Sequence, residues 1–267
     1  MRRRRIALWV WYRGDRFLGW QSQGTGRSVQ ETLAAALGVP GRPMASGRTD
    51  RGVHARCQPV SVRLPEETSP GSLLSLGESD WGIAAAVAAP VGFHAQWSSA
   101  WKEYRYRLAT GPVPPTWSGL AWEPATHPRL AGRTLDLGRV REALERAVGT
   151  RDFSALHAAS SIRRPRTLQA VSWTERAGVA EIQLRGDGFG RYGVRLLVGG
   201  AMLVGAGLID RGTWERALDA ATPFEGLRAP AAALTLWAVG YPERLDPFSA
   251  VAPAIPREPP FLPVDQA

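Results

Sequence analysis

Gly47-Arg48-Thr49-Asp50-Arg51-Gly52-Val53-His54-Ala55 is too polar for a core strand and too punctuated by glycine for a helix. Gly47 and Gly52 allow backbone angles that other residues avoid, so the stretch reads as a tight, shaped loop. From Val53 a strand resumes, to about Leu64. A short loop that leads into a strand can hold one side chain rigidly at the mouth of a cleft. Here that side chain is Asp50, flanked by Arg48 and Arg51. Opposite charge nearby favours the ionised carboxylate, which can serve as nucleophile or general base. The plainer alternative is an aspartate that caps its own turn.

Working outward toward the start, Ile6, Leu8 and Val10 alternate with Ala7, Trp9 and Trp11, the spacing of a strand. Ser28 and Glu31 form a capping box that opens a helix running to about Leu37. Beyond the loop, a short helix is expected near residues 69–76 and a strand over 83–91. Tyr104, Tyr106 and Leu108 then share one face of a strand, and Arg105 and Arg107 the other. A helix is predicted from a cap at Asp136 to Val148, with Val140, Ala143, Leu144 and Ala147 on one face. Residues 168–175 and 179–185 read as a hairpin. A glycine-rich helix follows to about Leu208, then a short helix capped by Thr213 and a last strand over 234–239.

Lys and Arg number 33 against 24 Asp and Glu, a net charge of +9, which points to a polyanionic partner such as nucleic acid. Lys102 is the sole lysine, so the charge is carried by arginine, the better fork for phosphate. Cys57 is the only cysteine, which excludes a disulfide framework and a thiolate metal site. No nucleotide-binding loop is visible, so neither cofactor nor metal is expected. Arg2 to Arg5 precede an ordinary strand rather than a long apolar segment, and the apolar run 194–209 is short and interrupted by Arg195 and glycines. The expectation is a cytoplasmic protein with no membrane partner.

The nonapeptide closely resembles the catalytic loop of the bacterial tRNA pseudouridine synthase A family, which reads Gly-Arg-Thr-Asp-Ala-Gly-Val-His. Further matches are Gly19-Trp20-Gln21-Ser22-Gln23 before Ser28-Val29-Gln30-Glu31, Phe93-His94-Ala95 before Lys102-Glu103-Tyr104-Arg105-Tyr106, and Asp152-Phe153. The last is Phe189 ahead of Gly193-Val194-Arg195, where the family reads Met-Val-Arg. Together they span about residues 4–241. The chain departs from the pattern at Arg51 (Ala in the family), Gly193 (Met) and Ala233 (Gly), and has Gly77-Glu78-Ser79-Asp80-Trp81 in place of an Asn-x-x-Leu-Pro segment.

The resemblance implies an α+β chain with two ferredoxin-like subdomains whose sheets join around a central basic cleft, the pseudouridine synthase fold. Residues 1–103 would carry the Asp loop, 104–245 would form the second subdomain, and the Pro-rich 246–267 a loosely ordered tail. It implies Asp50, Tyr104 and Arg195 as catalytic residues. Asp50 would start the reaction, Tyr104 would pack on the uracil and is the candidate for C5 deprotonation, and Arg195 would pair with the aspartate. Arg48 would hold the target nucleotide outside its stack. Thr49, Arg51, His54 and Leu234 complete the expected substrate contacts. The implied substrate is uridine in the anticodon stem-loop of tRNA, positions 38–40, bound by a homodimer. Two alternatives stay open. Arg51, a charge added beside the nucleophile, could bind the phosphate of a free uridine nucleotide, or the enzyme could modify another RNA site. A non-catalytic RNA-binding module is the other class, although a pure binder has no use for an anion in a basic cleft.

Overall fold

A computed structural model describes residues 2–24, 26–158, 161–219 and 224–267. The chain is mixed α+β and divides into two compact units: residues 1–102 with 235–262, and residues 103–234 with 263–267.

The first unit is built on strand β1 (Arg3–Tyr12). It pairs antiparallel with β3 (His54–Pro65) on one side and β5 (Trp81–Ala88) on the other. The short β4 (Gly77–Glu78) lies outside β5, and β2 (Met44–Ala45) pairs with β3. Ile6, Leu8, Val10 and Tyr12 are fully buried. The opposite face of β1 is covered as well: Ala7 packs with Ala85, Phe93, Tyr241 and Phe248, and Trp9 joins them. Helix α1 (Val29–Ala36) starts at Ser28, whose hydroxyl oxygen accepts from the Glu31 backbone N–H while its own O–H donates to the Glu31 carboxylate. This is the capping box read from the sequence.

The last strand, β10 (Leu234–Gly240), runs parallel to β3, with Thr235 opposite His54 and Leu236 opposite Ala55. Residues 235–262 therefore belong to the unit that holds the Asp50 loop, whereas the sequence placed 104–245 together. The Pro-rich segment is also not the loose tail expected. Trp9 and Phe248 meet edge to face at 5.5 Å and Trp11 and Phe261 at 5.4 Å, and the Ala254 N–H donates to Ala84. Burying each phenylalanine contributes about 1.5–3 kcal/mol, enough to hold a segment with no regular structure of its own.

In the second unit β6 (Trp101–Ala109) neighbours β9 (Val179–Gly186), which forms a hairpin with β8 (Arg166–Arg176), and β7 (Gly149–Arg151) closes the order. Helices α2 (Leu137–Glu145), α3 (Gly193–Gly205) and α4 (Arg211–Leu218) pack together. The glycines of α3 mark close approaches. A Cβ at Gly205 would lie 2.3 Å from Val140 of α2, and one at Gly200 would lie 2.3 Å from the Trp214 ring of α4. The cap of α4 is Asp210, whose carboxylate accepts from the Thr213 N–H at 2.7 Å; Thr213, the expected cap, sits inside the first turn. Among the described residues no helix is long and apolar enough to cross a membrane.

The arginine face of β6 turns inward. Arg107 is fully buried and lies 2.9 Å from Glu181 of β9, and Arg105 donates to the same carboxylate at 2.8 Å. Burial pulls the Arg107 guanidinium down to about 10, against the opposing pull of Glu181. Removing one partner of such a pair strands a charge in the interior. Glu181→Gln is expected to lower the unfolding free energy by about 3–5 kcal/mol, measured by urea denaturation. The exposed Glu225→Gln should stay within about 0.5 kcal/mol.

Candidate active site

The loop that carries Asp50 is held from below by side-chain hydrogen bonds. Tyr12, at the end of β1, is buried, and its hydroxyl lies 2.7 Å from the Thr49 hydroxyl. The Gln58 amide N–H donates to the Tyr12 oxygen at 3.4 Å, which leaves the Tyr12 proton for Thr49. Burial, only partly offset by these two hydrogen bonds, pushes the Tyr12 hydroxyl up to about 12, so it stays a donor. Gln58 also donates to the Gly47 carbonyl at 2.7 Å and accepts from the Ser46 hydroxyl at 2.7 Å. Lys102 donates to the Ser46 carbonyl at 2.7 Å. One glutamine thus holds the start of the loop and, through Tyr12, reaches Thr49.

A second set of contacts comes from residues 14–20. The Gly14 N–H donates to His54 Nδ1 at 3.1 Å, and its carbonyl accepts from Gly52 at 3.1 Å. A Cβ at Gly14 would lie 2.1 Å from the Val53 carbonyl oxygen, so only glycine lets the two segments close. The Trp20 N–H donates to the Thr49 carbonyl at 3.0 Å. The turn closes through Val53 N–H to Asp50 carbonyl at 3.1 Å, with Gly52 at φ 86°. Gly52 thus uses its conformational freedom. Gly47 does not: a Cβ there would lie 3.0 Å from Lys102 Nζ, a matter of space.

These contacts sort the expected loop residues. Arg48 and Arg51 are exposed and Asp50 is half-buried, as a site open to a substrate requires. Thr49 is 7% exposed and His54 is fully buried. Both side chains reach inward, Thr49 to the Tyr12 hydroxyl and His54 to the Gly14 N–H, and so brace the loop. His54 Nδ1 accepts from Gly14, so its other nitrogen carries the ring proton. Tyr12, Gln58, Gly14 and Lys102 were not singled out for the site. Lys102 and Gly19-Trp20-Gln21 lay in matched segments, whereas Tyr12 and Gln58 had no local signal.

The second unit holds the remaining expected residues. Tyr104 of β6 is 8% exposed, and its ring meets Phe189 edge to face at 5.3 Å. Tyr106 donates to the Pro230 carbonyl at 3.1 Å; burial raises its pKa, and the Arg195 charge counters in part. Arg195, two residues into α3, is half-buried. Its Nε donates to the Ala229 carbonyl at 2.7 Å, and the Ala229 N–H donates back to the Arg195 carbonyl at 3.1 Å. That reciprocal pair ties the segment before β10 to the helix. Leu234 is buried at the start of β10. Tyr192, the residue before α3, has φ 66°, and the guanidiniums of Arg228, Arg191 and Arg195 lie 4.5, 4.8 and 5.7 Å from its ring.

In the first unit a half-buried carboxylate on a braced loop suits nucleophilic or general-base chemistry; in the second, a buried phenol against an aromatic ring and a cluster of arginines suit contact with a base and with phosphates. Comparison with known proteins identifies the family. A family model described as tRNA pseudouridine synthase matches residues 143–242. The tRNA pseudouridine synthase A of Thermosynechococcus vestitus is 35% identical over 95% of this chain and 91% of its own length. That of Beijerinckia indica is 34% identical over 90% and 94%, and that of Roseiflexus castenholzii 35% over 90% and 92%. With the Asp50 loop, Tyr104 and Arg195 all within the aligned length, the chain belongs to the tRNA pseudouridine synthase A family.

Proposed function

We propose that the protein isomerises uridine to pseudouridine in the anticodon stem-loop of tRNA, positions 38–40, as an enzyme without a cofactor. The reaction breaks the C1′–N1 bond, turns the uracil and joins C1′ to C5, with loss of the C5 proton. It needs a fixed carboxylate, a platform for the base and charge to hold the backbone. The observation that carries the proposal is the loop itself: Asp50 is half-buried between the exposed Arg48 and Arg51, with the start of the loop held by Gln58 and Tyr12 and its end by Gly14. Asp50 starts the reaction. Arg48 holds the extruded nucleotide. Tyr104 stacks on the uracil and takes the C5 proton, and Arg195 and Leu234 keep the roles that family resemblance implies. The net charge of +9 suits a folded RNA. A homodimer, with one RNA lying across both subunits, extends the surface available to it.

A second reading, action on a free uridine nucleotide, is favoured by one observation: Arg51 is exposed beside Asp50, where the family carries alanine. Incubation with unmodified tRNA and, separately, with uridine monophosphate distinguishes the two. Pseudouridine is expected from tRNA; product from the mononucleotide alone would reverse the choice. Arg51→Ala should leave turnover on tRNA in place.

Asp50→Asn is expected to abolish tritium release from C5-labelled uridine in tRNA with an unchanged circular dichroism spectrum, because the amide keeps the shape and cannot attack. Tyr104→Phe should slow release with little change in RNA affinity. Binding should weaken steeply with salt, by on the order of 10³-fold or more between 50 and 200 mM if six or more phosphates are neutralised. A flat salt response would speak for the small substrate.

A further inference from the structure

Two arginines beside α3 stand outside the Asp50, Tyr104 and Arg195 set. Arg191 and Arg228 are exposed, and with the half-buried Arg195 they gather around a single ring. The guanidinium carbons of Arg228, Arg191 and Arg195 lie 4.5, 4.8 and 5.7 Å from the Tyr192 centroid. Each cation is attracted to the face of the ring. Each also repels the other two at a range too short for salt to screen fully. Elsewhere on the surface the arginines are compensated: Arg27, Arg146, Arg151 and Arg211 each hold a carboxylate. Among the described residues neither Arg191 nor Arg228 forms an ion pair. One phenol ring is a weak counterweight to three charges, and an anion would be a strong one.

The backbone under the cluster is braced while the guanidiniums of Arg191 and Arg228 stay open. The Arg191 N–H donates to the Ser161 hydroxyl at 2.8 Å, and its carbonyl accepts from the Ala158 N–H at 2.9 Å. Arg228 precedes Ala229, which exchanges two hydrogen bonds with Arg195. Tyr192 itself has φ 66°, a left-handed conformation that glycine enters freely and a tyrosine enters at a cost. Strain kept at one residue points to a side chain that the site needs, and here the ring is what the three arginines share. Tyr192 caps α3 without a side-chain hydrogen bond, so the positive end of this helix adds to the same field. The cluster also adjoins the proposed base platform. Phe189, three residues before Tyr192, is the ring that Tyr104 meets at 5.3 Å. Tyr106, on the same strand, donates to the carbonyl of Pro230, two residues after Arg228.

We propose that Arg191 and Arg228, steadied on the Tyr192 ring, hold the RNA phosphates that flank the reacting uridine. The proposal rests on the reading of the chain as a pseudouridine synthase with the uracil on Tyr104, and adds the residues that grip the strand beside it. A guanidinium carries five N–H donors in a fixed fork that fits two phosphate oxygens at once. A planar cation over an aromatic face satisfies that face and keeps its N–H edge for the phosphate. Extruding a nucleotide from its stack pulls the adjoining phosphates out of the helical path, and they must be held there while the base reacts. Two open arginines set on one rigid ring are preorganised for that task, because little side-chain freedom remains to be lost on binding.

The test uses the full chain carrying Asp50→Asn, so that binding is read without turnover. Its probes are an unmodified anticodon stem-loop RNA, the same RNA with a single neutral methylphosphonate placed at each linkage in turn, and uridine monophosphate. Arg191→Gln and Arg228→Gln should each raise Kd for the RNA about tenfold, the loss of one charge-assisted contact. Each should also lower the slope of log Kd against log salt by about one. A methylphosphonate beside the target uridine should weaken binding by the parent about tenfold and leave the affinity of one of the two arginine variants nearly unchanged, because the contact is already gone. Tyr192→Phe, which keeps the ring, should bind like the parent, and Tyr192→Leu like an arginine variant. Should Tyr192→Leu fail to fold by circular dichroism, the two exposed arginines and the methylphosphonate series carry the test. Unchanged slopes and an unchanged methylphosphonate response in both arginine variants would overturn the clamp. So would a sensitive linkage remote from the uridine, or a loss confined to uridine monophosphate with RNA affinity intact. Conversion of tRNA by the unsubstituted enzyme decides the activity separately: if it fails while the linkage response holds, the activity falls and the phosphate contacts stand.

Discussion

The Asp50 loop depends on the buried hydrogen-bond chain from Tyr12 through Thr49 and from Gln58 to Gly47 and Ser46. A catalytic carboxylate is useful only if its position is fixed to a fraction of an ångström, and a nine-residue loop with two glycines cannot supply that rigidity itself. The central strands supply it. Tyr12 ends β1 and Gln58 lies in β3, and these two strands are paired along most of their length. The stiffness of the sheet is passed to the loop by the buried, uncharged Tyr12 and Gln58, and the Lys102 ammonium adds a charged donor to the Ser46 carbonyl. A phenol held near 12 stays a donor throughout the physiological range.

The second unit solves a different problem with charge. Arg105 and Arg107 lie on the same face of β6, and both reach Glu181 of β9. Two cations on one carboxylate, nearly dry, contribute less to net stability than an apolar core of equal volume would. What they enforce is register: a one-residue slip of β6 against β9 would bury two guanidiniums without a partner. The strand so pinned carries Tyr104 and Tyr106 on its other face. In both units a proposed functional side chain is thus positioned by polar contacts on the strand behind it.

How much of this was legible in the sequence depends on whether the information was local. The capping box at Ser28 and Glu31, the Asp136 cap and the hairpin ending at Ala177-Gly178 are written in neighbouring residues, and the structure has them. Thr213 was taken for a cap that Asp210 provides, because two good capping residues three apart look alike until the first helical residue is known. Thr49 and His54 are polar residues in a polar loop, and nothing local says that their side chains turn inward. The pairing of Arg107 with Glu181 spans a long stretch of chain and leaves no local trace. The Pro-rich segment lacks periodicity and so reads as loose, but its order comes from single aromatic residues docking on β1. For the site, the loop was legible through family resemblance, and its support was not.

The departures from the family pattern separate into two kinds once the structure is considered. Arg51 in place of alanine adds a charge on the exposed side of the loop, where no packing constrains it. Gly193 stands in place of methionine at the start of a helix, next to Tyr192, whose ring has three guanidiniums around it. The first alters the field around the nucleophile without altering shape. The second leaves space at the first residue of α3, where a Cβ would meet only ordinary contacts, 3.7 Å to the Leu156 carbonyl oxygen and 3.8 Å to Phe189.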